Sequence, residues 1–265
     1  MSSIIAYFTN ATGSSPGAQG TTFQWIAYIA GQYKFMFLQA AWVTVYVAFL
    51  GTILGFLIGF LVGIVNSTKI EPDDNVVKKA LLRIVKVIIA IYVEIFRDTP
   101  MIVQGMVLYY GLRDNNVMVT SIVAGVLVIM LNTGAYMGET VRAGINSIDP
   151  GQTEGALAMG ESHFGTMFYV VLPQAIRNIV PEMCNTFLTN LKETSVLNVI
   201  GVTELFLMAK TAGGAYYKYY ESYLVISVIY LVMCFVFNRI FRVLEKKMKG
   251  SKDYVLAAEY MNTDE

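Results

Sequence analysis

The sequence predicts an all-α integral membrane protein of five spanning helices, with the N-terminus outside and the C-terminus in the cytoplasm. Three observations predict it. The 265 residues are 55% hydrophobic and 14% charged, where a soluble domain carries about 25% charged residues. The apolar residues fall in long runs of the length that crosses a hydrocarbon layer as a helix, about 20 residues. Lys and Arg are segregated between alternate connections. The spans must be helices, because an open strand would leave backbone groups unpaired in lipid.

The first span is read at 37–65. Trp25, Tyr28 and Tyr33 precede it, and this aromatic, weakly polar stretch predicts a helix lying in the outer interface. Within the span, Gly51, Gly55, Gly59 and Gly63 recur every fourth residue. They share one ridge and predict a close packing seam against another span or another subunit. The second span is read at 87–111 with an amphipathic lead-in from 76, and Pro100 is expected to kink it. The third is read at 117–141, the fourth at 174–200 and the fifth at 221–244. Residues 1–36 are then an external segment, 37–245 the membrane domain and 246–265 a cytoplasmic tail, polar and loose from Ser251 to Glu265.

Thirteen Lys and Arg fall in, or at the span ends bordering, the segments between spans one and two, between three and four, and after five, against four in the other connections. Arg97 and Lys192 lie inside spans. The excess marks the cytoplasmic side. Residues 1–20 carry no Lys or Arg and do not read as a cleaved signal peptide. Asn10-Ala11-Thr12 fits a glycosylation pattern that is common by chance.

Formal net charge is zero, so nothing points to nucleic acid. Cys184 and Cys234 sit far apart inside spans and read as small buried hydrophobes. His163 is the single histidine and has no Cys or second His nearby, which argues against a metal site.

The connection between spans three and four specifies a short helix. Asp149 is a good N-cap and Pro150 falls at the first helical position. Gln152 stands where a capping box wants Glu or Gln, and Gly160 stops the helix. About ten residues of helix are unstable alone in water, so a docking partner is expected to hold them.

Here the residues resemble a known family. Glu154-Gly155-Ala156, then Gly160, then Val170-Val171-Leu172-Pro173 is similar to the signature loop of bacterial ABC-importer permeases: Glu-Ala-Ala, Gly four residues on, and Ile-x-Leu-Pro. Gly155 stands for an alanine and Val170 for an isoleucine. Three further stretches resemble the polar amino acid branch, the histidine/glutamine type: Tyr92 to Pro100, with Asp98 where Gly is usual; Ala135 to Ile145; and Lys192 to Leu197 followed by Ile200 to Leu205. The resemblance covers about 37–245. It implies a permease subunit that translocates polar amino acids across the inner membrane. Its loop helix would dock on a cytoplasmic ATPase through Gln152, Glu154, Gly155, Ala156, Ala158 and Gly160. It also implies a second permease subunit as homodimer or related heterodimer, two ABC ATPase subunits and an extracytoplasmic amino-acid-binding protein. No cofactor is expected on this chain; ATP and Mg would sit on the partner ATPase.

Ionisable residues inside spans are costly and mark pathways or pairs. Span two has Glu94, Arg97 and Asp98, with Glu94 and Arg97 spaced to pair on one face. Span three has Asn132, Tyr136 and Glu139. Span four has Asn178, Glu182, Asn185, Thr189 and Glu193, beside Lys192. These trace candidate walls of a substrate path, although Glu139 and Arg142 could instead pair at the cytoplasmic interface. Acids and a cation together suit a zwitterion.

No phosphate-binding Gly-x-x-x-x-Gly-Lys-[Ser/Thr] loop occurs, so the chain is not itself the ATPase and is not expected to be an enzyme. Neither Gly-x-Ser-x-Gly nor His-Glu-x-x-His occurs. The competing reading is an ion-coupled secondary transporter of small polar solutes, which often shows inverted repeats; none is visible here. A membrane scaffold would leave the polar stripes without a purpose.

Overall fold

A computed structural model describes residues 15–17, 19–68, 70 and 75–248, and they are helical with short connections. In chain order the helices are α1 (Thr22–Gln32), α2 (Lys34–Ser67), α3 (Val76–Asp98), α4 (Met101–Asp114), α5 (Ser121–Asn146), α6 (Pro150–Ala158), α7 (Leu172–Glu193), α8 (Leu205–Tyr216) and α9 (Tyr219–Met248). A helical turn at His163–Gly165 and a π-helical stretch at Thr166–Val171 lead into α7, and a 3₁₀ stretch at Thr194–Ile200 extends it. Residues 1–14 and 249–265, with Asn10-Ala11-Thr12 and the Ser251–Glu265 tail, lie outside the described residues.

Among the described residues, three helices are long and apolar enough to cross a membrane: α2, α5 and α9. A fourth span results if the His163–Ile200 and Leu205–Tyr216 segments, bent by 56°, count as one. The expected second span is not one kinked helix. It is two helices, α3 and α4, separated at Thr99-Pro100. The expected third span begins later, at Ser121, and runs on to Asn146. Helix α8 was not foreseen: 201–220 reads locally as a connection, and α8 is held by tertiary packing of Leu205, Met208 and Ala212 on Trp25, Ile29, Val225 and Ile226.

The glycine ridge of α2 packs against α5 of the same chain. A Cβ on Gly51 would stand 2.5 Å from Ile129 Cγ2, on Gly55 2.6 Å from Thr133 Cβ, and on Gly63 2.5 Å from Val141 Cβ, with Met137 opposite Gly59. Both series rise together, so α2 and α5 run parallel in near backbone contact, as small residues allow. Gly134 of α5 answers from the other side and admits the Tyr92 hydroxyl, which donates to the Leu131 carbonyl at 2.6 Å. Helix α7 packs antiparallel on α5, with Ile179 beside Gly144 and Asn190 beside Thr133.

Trp25 and Ile29 of α1 are buried. Trp25, Tyr28 and Tyr33 pack edge-on or tilted against Tyr216. The aromatic stretch therefore packs onto the helix core through Trp25 and Ile29. Outward faces carry apolar side chains: Ile84, Ile88 and Ile91 of α3 and Val228, Leu231 and Phe235 of α9 are exposed. Such an apolar exterior suits hydrocarbon surroundings. Cys184 and Cys234 are free thiols, Cys184 buried and Cys234 packed against the Ala48, Phe187 and Leu191 cluster. No cluster of His, Cys, Asp and Glu among the described residues could hold a metal ion.

Candidate functional site: a polar cavity and an end helix

The break between α3 and α4 has a local cause and a tertiary cure. Pro100 has no N–H, so the Phe96 carbonyl four residues earlier loses its helical donor. Gln104 Nε2 donates to Phe96 O at 2.9 Å and also reaches Thr99 O and Oγ1 at 2.9 Å. Asn132 Nδ2 of α5 donates to Phe96 O and to Gln104 Oε1, both at 3.1 Å. The irregular backbone is thereby satisfied inside the protein, which is the condition for its existence at membrane depth.

This break, the middle of α5 and one face of α7 enclose a cavity of about 580 Å³. Arg97, Asp98 and Thr99 come from the break, Asn132, Thr133 and Tyr136 from α5, and Glu182, Asn185, Thr186, Thr189, Asn190 and Glu193 from α7. The α7 set steps by three and one, so it is a single helical face presented to the cavity. Asn190 is buried at 3% exposure. Its Nδ2 donates to Thr52 Oγ1 at 2.8 Å and to Thr133 Oγ1 at 2.9 Å. One amide thus ties α2, α5 and α7 together beside the cavity.

Of the residues that the sequence marks as candidate path, Arg97, Asp98, Asn132, Tyr136, Glu182, Asn185, Thr189 and Glu193 meet on this cavity; Glu94, Glu139 and Lys192 do not line it. Glu94 and Arg97 do not pair. The Arg97 guanidinium lies over the Tyr136 ring, 5.5 Å from its centroid, and the Tyr136 hydroxyl reaches the Arg97 carbonyl at 3.5 Å. Glu139 pairs with Arg142 at 2.9 Å. Asn178 leaves the stripe and donates to Ser147 Oγ at 3.0 Å. Among the described residues, no ion pair engages Arg97, Asp98, Glu182 or Glu193. Four unpaired charged groups facing one space within a membrane domain are costly unless something polar occupies it.

Thr52, Gln104, Thr133 and Asn190 were not foreseen. They are uncharged, and polar amides and hydroxyls in spans are common helix glue. A signal for Asn190 exists: it is eight residues from Glu182, on the same face.

At one end of the bundle stands α6, nine residues long. Asp149 caps it, its Oδ1 accepting from Gly151 N–H at 2.8 Å. Gly160 adopts φ +90° just past the C-terminus, the left-handed stop expected of glycine. Gln152 does not form a capping box. Its Oε1 accepts instead from Gln174 Nε2 at 3.4 Å, which ties α6 to α7. Only Ala156 is buried, while Gln152, Glu154, Gly155, Ala158 and Gly160 are exposed. A Cβ on Gly155 would meet nothing within 4 Å. The outer face of α6 is therefore open.

Residues 79–250 match the model of the family described as "Binding-protein-dependent transport system inner membrane component". The chain is 37% identical over 161 residues to the arginine transport system permease protein ArtQ of Bacillus subtilis (strain 168), covering 60% of this chain and 74% of ArtQ. It is 35% identical over 161 residues to the glutamine transport system permease protein GlnP of Escherichia coli (strain K12), covering 60% of this chain and 74% of GlnP. Among solved structures, it superposes with a TM-score of 0.71 and 33% identity on a crystal structure of an amino acid ABC transporter with histidines, covering 82% of this chain and 95% of that one.

Proposed function

The chain belongs to the family of binding-protein-dependent transport system inner membrane components, and on that premise we propose that it is the permease subunit of an ATP-driven importer of polar amino acids. It would cross the inner, cytoplasmic membrane five times, counting α2, α3 with α4, α5, α7 and α9. The N-terminus would lie outside and the C-terminus in the cytoplasm, in line with the Lys and Arg distribution. Two permease subunits, alike or related, would sit on two ATPase subunits and receive substrate from an extracytoplasmic binding protein. The arginine and glutamine systems of the relatives support a polar amino acid as cargo.

The observation that carries this reading is α6. A capped nine-residue helix with an open outer face is too short to be stable by itself, and it offers Glu154 and the bare backbone of Gly155 to a partner. It lies at the end of the bundle where α5 leaves off and α7 begins, so force on α6 passes through the Gln152–Gln174 contact to a cavity-lining helix. An ion-coupled transporter has no use for such a helix.

The test is co-purification with the cognate ATPase, comparing the wild-type chain with Glu154→Lys. Loss of the ATPase from a variant that keeps its membrane fold supports the coupling role. Retention at wild-type strength removes Glu154 from it. Failure of the wild-type chain to bind any ATPase removes the importer reading.

A further inference from the structure

The first three turns of α3 carry a cationic stripe that has no part in the cavity or in α6. Lys79, Arg83 and Lys86 follow at intervals of four and three, so they stack on one side of the helix over consecutive turns. Val76 to Val93 holds no Asp or Glu. Glu71, Asp73 and Asp74 precede the helix, the nearest of them nine residues before Arg83.

Lys86 fixes the depth of the stripe. Its Nζ donates to Asn66 O at 3.2 Å and to Thr68 O at 2.7 Å, where the apolar run of α2 gives way to Asn66-Ser67-Thr68. At 1.5 Å per residue, Arg83 stands about 4–5 Å and Lys79 about 10 Å further along α3, away from the centre of the bundle. The headgroup layer of a bilayer is about 5–8 Å deep on each side, so Arg83 falls within it. Arg83 is exposed, and among the described residues it makes no hydrogen bond or ion pair.

The opposite side of the same turns is aliphatic and open. Leu81, Ile84 and Ile88 are exposed, and Ile91 and Ile95 prolong their stripe into the spanning part of the helix. Cations along one side and aliphatic side chains along the other suit the boundary between headgroups and acyl chains. A soluble partner would cover only the part of that stripe outside the bilayer. Its unbroken run to Ile95 gives the whole of it one cover, the lipid.

We propose that the first three turns of α3 bind anionic phospholipid headgroups of the cytoplasmic leaflet, with Arg83 on the phosphate, Lys79 beside it, and Leu81, Ile84 and Ile88 against the acyl chains. A guanidinium suits a phosphate because its fork donates two parallel hydrogen bonds. A zwitterionic headgroup brings its own cation and is the poorer partner. The contact holds the end of α3 remote from Asp98, the last residue of the helix, which lines the cavity. Neither the cargo nor the ATPase enters into it.

The full chain, purified in detergent, is titrated with phosphatidylglycerol and separately with phosphatidylcholine of the same acyl chains, and bound lipid is counted by native mass spectrometry. Phosphatidylglycerol is expected to bind about fivefold tighter. Arg83→Gln is expected to remove most of that preference, and Arg83→Lys to keep most of it. Arg113→Gln, which removes a charge from the end of α4 at the other side of the membrane domain, is expected to leave it unchanged. The same preference in Arg83→Gln as in wild type would overturn the lipid site. Displacement of phosphatidylglycerol by millimolar inorganic phosphate would overturn it in favour of a free anion. Loss of the ATPase from Arg83→Gln in the co-purification above, with lipid preference unchanged, would overturn it in favour of a protein partner. Size exclusion establishes that each variant is folded. If Arg83→Gln is not, Lys79→Gln takes its place, with a partial loss of preference expected and no loss counting against the site.

Discussion

The Tyr230 hydroxyl of α9 donates to Oε2 of Glu204, the N-cap of α8, at 3.1 Å. The same carboxylate accepts the N–H groups of Phe206 and Leu207, each at 2.8 Å, and Glu204 is wholly buried. A carboxylate at a helix N-terminus satisfies orphan donors and favours the helix dipole. Glu204→Ala removes the cap and the carboxylate to which the Tyr230 hydroxyl donates. It is expected to cost about 2 kcal/mol or more, read as a lowered midpoint of thermal unfolding in detergent. Tyr230→Phe, which leaves both backbone donors served, is expected to cost about 1 kcal/mol. A Glu204→Ala protein as stable as wild type would end the capping account.

The α2–α5 seam leaves no room for side chains at the ridge glycines. Gly55→Val is expected to force Thr133 and the Met130 carbonyl away, at a cost of about 1–3 kcal/mol or loss of folded protein. Gly111→Ala in α4 is the comparison, since nothing lies within 4 Å of its added Cβ. It is expected to be neutral or slightly stabilising. Yield and thermal midpoint of the two variants check the contrast.

Gln104 serves carbonyls that Pro100 and the helix break leave open. Gln104→Leu is expected to destabilise by about 1 kcal/mol by removing its bonds to Phe96 O and Thr99 O, the first of which keeps Asn132 as a donor. Pro100→Ala restores a backbone donor near Phe96. In a double-mutant cycle the two changes together are expected to cost less than their sum. Strict additivity would show that Gln104 acts through some other contact.

The two glycines of the α6 region have opposite demands. Gly155→Ala places a methyl in open space and should strengthen the helix by up to about 1 kcal/mol. Gly160→Ala puts an L side chain at φ +90° and should weaken the helix end by about 1 kcal/mol or more. Proteolysis of the exposed loop, timed on the purified chain, is expected to slow for the first variant and quicken for the second.

Much of the fold is legible because its causes are local. The uninterrupted apolar runs of α2 and α9 announce membrane helices, and the four-residue glycine period announces a close helix contact. Asp149, Pro150 and Gly160 bound α6 through caps that act within a turn. Pro100 marks the break between α3 and α4, although its depth as a full interruption depends on Gln104 and Asn132 arriving to satisfy Phe96 O. The α7 face from Glu182 to Glu193 is visible as a polar stripe from the 3.6-residue period.

Other features were decided by partners distant in sequence. The Arg97 guanidinium lies against Tyr136, brought in from α5, and not against Glu94 one turn away. Gln152 turns to Gln174 and forgoes its local cap. Helix α8 exists where the local sequence reads as a connection, because Glu204, Tyr230 and the α1 aromatics supply what its residues lack.

The sequence by itself determined which segments are helical and apolar, where caps and breaks fall, and which residues share a helix face. All of these are set by forces acting within a turn. The tertiary structure alone decided that the glycine ridge closes on α5 of the same chain, and that Asn190 meets Thr133 across 57 residues of sequence. It also decided that the charges of three elements face one cavity. These depend on how helices cross and on their depth of contact. That geometry is a compromise among all the packed side chains at once, and no single stretch of sequence carries it.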